Sequence, residues 1–397
     1  MRNLRRILDS EVYFVTIRTT EERFALDPYA CPGAWLEAEG KQLEPRVKLA
    51  MRARGHECIK ETDKITAEIA RSEQDESALR PVVPLATFTN SIPNIIGSCM
   101  ARGLKMYGVK LYGFVWMSNH AHFLLRAPAD KFADFMAYMN GQISVNANRF
   151  LGRKSQFWGR RYSAAQVLDE AAELEMLGYL LANPQNAGIA DSIEQWAGLS
   201  SAAFFFQNSQ QRFLHFNRTA WHKNGRPDDI APFLSTTVLD HELLPQLSRL
   251  NERERQQLLL WAIDRQLKPS HDAGKKIEPI PANTIRRRFI ARVVIPTERP
   301  ESSKVNPRRN SPQPLCHTTK PSLRKLYREW HRAFRNAYKC SAEKYRSGHI
   351  GVVFPPGSFA PSKYPRAYYA IDPDVNAPLH PTRQNLEVAN NLMALAS

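Results

Sequence analysis

Two histidines one residue apart are the first chemistry in this chain. They lie in the run WMSNHAHFLL, residues 116–125. On a strand, alternate side chains share a face, so His120 and His122 project together while Ala121 and Phe123 point the other way. Two imidazoles so placed can grip one metal ion; the same spacing also suits a half-exposed pair at a sheet edge. A second group lies in EAAELEMLGYLLANP, residues 170–184, where Leu174, Leu177 and Leu181 mark the buried stripe of a helix. Tyr179 and Asn183 stand at i and i+4 on another face. Because Pro184 is unsuited to a helix interior, Asn183 is expected at the C-terminal end. Its amide oxygen can complete a site begun by two histidines, or simply cap the helix. A third stretch, residues 149–162, interleaves Arg149, Arg153, Lys154, Arg160 and Arg161 with aromatic residues that include Trp158. Cations for phosphates and flat rings for bases are what a single-strand track needs; solvated surface and core packing are the plainer readings.

These residues need a scaffold. Residues 12–20 are β-branched and aromatic and read as a strand. A helix is expected over 91–103, strands over 110–117 and 121–125, and a helix over 131–150. A fourth strand over 157–168 and a helix over 171–183 follow. The order β-α-β-β-α-β-α predicts an α+β, ferredoxin-like split βαβ arrangement with an added helix. Residues 27–83 are polar and charged and read as an insertion. Beyond about residue 210 the pattern is mainly helical to 295, with Asn251 and Glu254 spaced as a capping box. Six prolines between 296 and 321 predict a linker or extended arm. A basic helix over 322–346 and an extended tail to 397 complete the expected layout. That helix has eight basic residues against two acidic ones, and an apolar stripe of Leu323, Leu326, Trp330, Phe334 and Tyr338. Arg324, Lys325, Arg328, Arg332 and Arg335 could then grip a DNA backbone, or the helix could be merely solvated; a membrane surface is a weaker third target.

Composition narrows the classes. The 397 residues include 55 Lys+Arg and 39 Asp+Glu, a formal net charge of +16. Such a field favours polyanions. No apolar run reaches the ~18–20 residues that span a bilayer, and residues 1–9 lack the pattern of a secretory signal. The five cysteines form no CxxC pair and fit a reducing compartment. A cytoplasmic, nucleoid-associated protein is expected.

The segments GFVWMSNHAHFLL (113–125), FWGRRY (157–162) and YLLANPQNAG (179–188) together resemble the single-tyrosine HUH transposases, most closely the REP-associated tyrosine transposases. The resemblance covers roughly residues 10–20 and 85–200, so that 10–205 is expected to form the HUH nuclease domain. It implies that His120 and His122 are metal ligands with Asn183 as the third, that Tyr179 is the nucleophile, and that the ion is Mg²⁺ or Mn²⁺. The implied activity is cleavage and rejoining of hairpin-flanked single-stranded DNA through a 5′-phosphotyrosine. Neighbouring functions are a rolling-circle replication initiator or relaxase, and a domesticated hairpin-binding protein that does not cut. Related transposases act as dimers and the repeat-associated ones as monomers, so the resemblance leaves a homodimer and a monomer both open. Ser118 stands where the family usually has proline.

Overall fold

The computed structural model describes residues 7–8, 11–75, 77–267, 293–300, 314–355, 358 and 367–369. Its centre is a mixed sheet built from β1 (Val12–Arg18), β2 (Lys110–Trp116), β3 (His120–Arg126) and β4 (Ser163–Val167). A short fifth strand joins them from a distant part of the chain. The first four run in the order β2-β3-β1-β4, and each neighbouring pair is antiparallel. This is the strand order of the split βαβ arrangement, so the α+β expectation holds. The crossover helices are α1 (Ile92–Tyr107), between β1 and β2, and α2 (Phe132–Leu151), between β3 and β4; α3 (Glu170–Asn186) follows β4.

Strand alternation sorts the core into two layers. Tyr13, Val15, Ile17, Ala121, Phe123 and Leu125 pack with α1 and α2. Val12, Phe14 and Leu124 face the other way, beneath α3. His120 and His122 share the parity of Leu124 and so fall on the α3 face. The turn at Ser118 and Asn119 joins β2 to β3 as expected.

Two local expectations near the site are corrected. The fourth strand begins at Ser163, not at 157. Residues 157–162 instead cross the end of β1: the Gly159 N–H donates to the Arg18 carbonyl (3.0 Å), and the Trp158 indole donates to the Asn140 carbonyl (2.9 Å). A Cβ on Gly159 would lie 2.7 Å from the Thr19 oxygen, so this crossing requires glycine. Helix α3 runs through Pro184 to Asn186. A proline in the last turn forfeits one hydrogen bond, to the Leu180 carbonyl, which the end of a helix tolerates better than its middle.

The Pro-rich stretch is also not a free linker over its described parts. The Phe24 N–H donates to the Glu298 carbonyl (2.9 Å), and Lys48 Nζ pairs with Glu298 (2.5 Å). Cys316–His317 form β5, the fifth strand, parallel to β4. Residues 301–313, part of the expected linker, lie outside the described residues, as does the tail beyond 369.

The insertion folds as a short helix, Ala34–Ala38, and a long one, Pro45–Gln74. The latter docks on a two-stranded antiparallel ribbon, Arg212–Phe216 with Leu234–Val238, that the helical reading of 210–295 had not included. Ile69 and Val83 from the insertion meet Leu214, Trp221 and Leu234 there. The rest of the described part of that region is mainly helical. The expected capping box is present, with Asn251 and Glu254 bonding each other's backbone N–H groups at the start of α4 (Glu252–Gln266). The basic helix is α5 (Pro321–Arg346). Its inner face is Leu323, Tyr327, Trp330 and Phe334.

Candidate functional site

The histidine pair is set by β1. Thr16 stands opposite His122 and Arg18 opposite His120 across the β1–β3 ladder. His122 Nδ1 is 2.8 Å from the Thr16 hydroxyl, and His120 Nδ1 is 2.6 Å from Asn119 Oδ1. Asn119 is held in turn by donating to the Glu22 carbonyl (3.0 Å). Engaging Nδ1 fixes each ring's orientation and leaves Nε2 as the nitrogen turned away from these partners. The two rings meet edge to face with centroids 4.9 Å apart. His122 Nε2 is buried and has no hydrogen-bond partner among the described residues. Burial first, then the electrostatic influence of His120, Arg18 and His317, holds His122 well below the ordinary imidazole value. The neutral ring keeps its lone pair.

Tyr179 comes to this pair on α3. Its ring stands edge-on to His122 at 5.4 Å and to Phe14 at 5.9 Å. Two close approaches set the helix. A Cβ on Gly178 would lie 2.5 Å from the Ala262 carbonyl oxygen of α4, so only glycine lets the two helices come this near. On the sheet side, Leu177 and Leu180 rest over Gly113 of β2. The start of α3 is capped by Asp169, which accepts from the Ala172 N–H (2.8 Å). Asp169 also accepts from the Thr318 hydroxyl (2.5 Å) and from the Thr319 N–H (3.0 Å) and hydroxyl (2.8 Å). Burial works to raise this carboxyl. The hydrogen bonds from Thr318, Ala172 and Thr319 outweigh it and hold the group below the usual carboxylate value.

Asn183 lies one turn beyond Tyr179 on the same face of α3 and is 7% exposed. A cavity of about 240 Å³ sits over the pair, walled by Phe14, Thr16, Arg18, His122, Tyr179 and His317, among others. The structure therefore brings His122 and Tyr179 to one cavity, with His120 against His122. Asn183 and His120 are not part of its wall. Among the described residues no group of three or more His, Cys, Asp or Glu side chains gathers as a metal site, so a third protein donor would have to be of another type.

His317 is the residue that sequence reasoning missed. It lies on the two-residue β5, its ring 5.2 Å from Phe14. Burial, then the charge of Arg324, push its imidazole down to about 4. Periodicity cannot reveal a two-residue strand, and only the chain's return to the edge of β4 puts this side chain in the site.

The expected basic track divides. Arg149, Lys154, Arg160 and Arg161 are exposed. Arg153 is a correction: it is 7% exposed, with its guanidinium 4.5 Å from the Trp35 ring centre and donating to the Gln156 carbonyl (2.5 Å). It serves packing between the insertion and the loop. Trp158 also packs inward, against Trp116 and Phe157, and is not a free base platform. On α5, Arg324, Lys325, Arg328, Arg332 and Arg335 are all exposed.

The site thus consists of an antiparallel split βαβ sheet whose HxH strand lies beneath the helix that bears Tyr179. Residues 85–183 match the family model described as "Transposase IS200 like", which spans His120, His122, Tyr179 and Asn183. The expected resemblance to the tyrosine transposases is met over that stretch. A solved structure, "Structure of the REP associates tyrosine transposase bound to a REP hairpin", aligns at 10% identity and a TM-score of 0.30. The alignment covers 52% of this chain and 84% of that one; the fold assignment rests on the strand order above. No curated protein matches the chain. Among the described residues no helix is long and apolar enough to cross a membrane.

Proposed function

We propose that the chain is a DNA transposase that cleaves and rejoins hairpin-flanked single-stranded DNA through Tyr179. The observation that carries this reading is the approach of the Tyr179 ring to His122 over one cavity, within the stretch that matches the transposase model. The net charge of +16 suits a polyanionic substrate.

The donor set fits a divalent ion: a buried His122 Nε2 without a partner, a second imidazole against it, and an amide one turn beyond the tyrosine. His120, His122 and Asn183 would hold Mg²⁺ or Mn²⁺, for which mixed nitrogen and oxygen ligands are suitable. When bound, the ion supplies Lewis acidity at a non-bridging phosphate oxygen. Tyr179 does the covalent work. Its phenol oxygen attacks phosphorus in line and loses its proton to solvent. The bond from phosphorus to the 3′ oxygen breaks, and that oxygen takes up a proton to become a 3′-OH. The 5′-phosphotyrosine preserves the ester's free energy, so a different 3′-OH can attack it and release the tyrosine. Phe14 keeps one side of the tyrosine dry, and Arg18 places a positive charge at the cavity wall.

The test is incubation of labelled hairpin-flanked single strands, drawn from DNA beside the gene, with Mn²⁺ or with EDTA. Strand cleavage is expected with the metal alone.

A further inference from the structure

A second cavity, of about 470 Å³, adjoins the first and shares Met176, Pro314 and His317 with it. Its remaining wall includes Arg324 and Arg328 from α5 and Glu175 from α3. The two guanidiniums are one helical turn apart on the same face. Arg324 is aimed by donating to the Thr318 carbonyl (2.8 Å), and Thr318 is itself anchored to Asp169 at the start of the tyrosine helix. Neither arginine has a salt bridge among the described residues, and the nearby Glu175 is left unpaired with them. Two guanidiniums gathered in one concave wall repel each other unless an anion joins them. The one chain feature that puts them there is the segment 314–328, which lies outside the family match.

We propose that this cavity binds a backbone phosphate of the single strand next to the one attacked by Tyr179, so that segment 314–328 is part of the DNA-cleaving centre. The placement beside the attacked phosphate rests on the proposed function; the binding of a strand phosphate does not. Arg324 and Arg328 clamp the phosphate oxygens, Met176 and Pro314 form the apolar floor between the two cavities, and Glu175 limits how much anionic charge the site accepts.

The experiment uses the full chain carrying Tyr179→Phe, so that binding is read without covalent chemistry, with fluorescein-labelled dT12 followed by anisotropy. Arg324→Gln with Arg328→Gln is expected to weaken binding about tenfold and to flatten the salt dependence by about 1.4, two contacts at ~0.7 each for a single strand. Glu175→Gln is expected to tighten binding about threefold. Lys344→Gln with Arg346→Gln removes the same charge from the far end of the same helix and is expected to change affinity by less than about twofold. Arg328→Gln alone, a side chain with no hydrogen bond among the described residues, carries the test if the double variant fails to fold. An unchanged affinity in the cavity variants, or an equal loss in the two double variants, overturns the proposal. Photocrosslinks from 4-thiothymidine in the same probe are expected at Met176 or residues 314–318, and crosslinks only elsewhere also overturn it. If wild-type protein forms no covalent adduct with any hairpin DNA, the cleavage reading falls, while the ratio of affinities still decides this one.

Discussion

At the scale of single residues, the site depends on small polar side chains that hold larger ones. Thr16 meets His122 Nδ1 at 2.8 Å, and that contact orients the ring and leaves Nε2 as the donor. Replacing such a partner of a metal-binding histidine commonly costs 10–100-fold in metal affinity. Thr16→Val, which keeps the side-chain volume, is therefore expected to weaken Mn²⁺ binding about tenfold by titration calorimetry, with the fold intact by circular dichroism. Unchanged affinity would remove His122 from the metal site. That His120 and His122 share a strand face, and that Tyr179 and Asn183 stand one turn apart on a helix, was legible in the sequence because each lies in a regular element whose period places it. Arg153 was misread for a physical reason. A run of charges gives no sign of which member has an aromatic ring, here Trp35, waiting on a distant helix.

At the scale of elements, the helix that carries Tyr179 is fixed by close packing. A Cβ on Gly178 meets backbone of α4 at 2.5 Å, whereas one on Gly113 meets the tip of the Leu177 side chain at the same distance. Backbone cannot yield as a methyl group can. Gly178→Ala is expected to destabilise the protein by roughly 1–3 kcal/mol, through overpacking, and Gly113→Ala by clearly less. Urea unfolding checks the order; an equal or reversed effect would show that the α3–α4 approach does not fix the helix. Alternation and capping chemistry made the first four strands and α1 to α3 readable. The fifth strand was not readable, since two residues have no period and its partner β4 is about 150 positions away. The ribbon at 212–216 and 234–238 did carry a signal, the alternation in RFLHF and the β-branched run in LSTTV, but helical neighbours on both sides obscured it. Asp169 joins the tyrosine helix to segment 318–319. Asp169→Asn, which weakens a helix cap and a buried hydrogen-bond cluster together, is expected to cost about 1–2 kcal/mol. Thermal unfolding reads the loss, and an unchanged midpoint would mean that this junction holds nothing.

At the scale of the molecule, charge and buried imidazoles set the response to solution conditions. Burial, helped by Arg102, pushes His215 down to about 4, and burial pushes His241, stacked between Phe114 and Phe204, down to about 3. Both bind a proton more readily unfolded, near 6.5, than folded. Their contribution to stability is therefore complete above about pH 6.5 and is lost progressively as pH falls toward 4. Buried Asp27, raised by desolvation to about 6, works the other way below that pH. One carboxyl against these two imidazoles and the lowered His122 and His317 does not reverse the fall. The Asp169 carboxyl, held below its usual value, gives up its contribution only at pH below about 4, outside this window. The unfolding midpoint is expected to drop by roughly 5 °C or more between pH 7.5 and pH 5, in buffers of equal ionic strength. A flat or rising midpoint would mean that these rings are not held neutral.

The central claim is that one phenol, on α3 and edge-on to His122, becomes joined to DNA. Its most direct measurement is a denaturing gel of labelled hairpin-flanked single strand incubated with Mn²⁺ and either wild-type protein or Tyr179→Phe. The wild type is expected to carry label as a covalent protein–DNA adduct, and the variant to bind the hairpin with nearly the same affinity yet form none. An adduct that persists in Tyr179→Phe would contradict the assignment of the nucleophile and the reading of the site built around it.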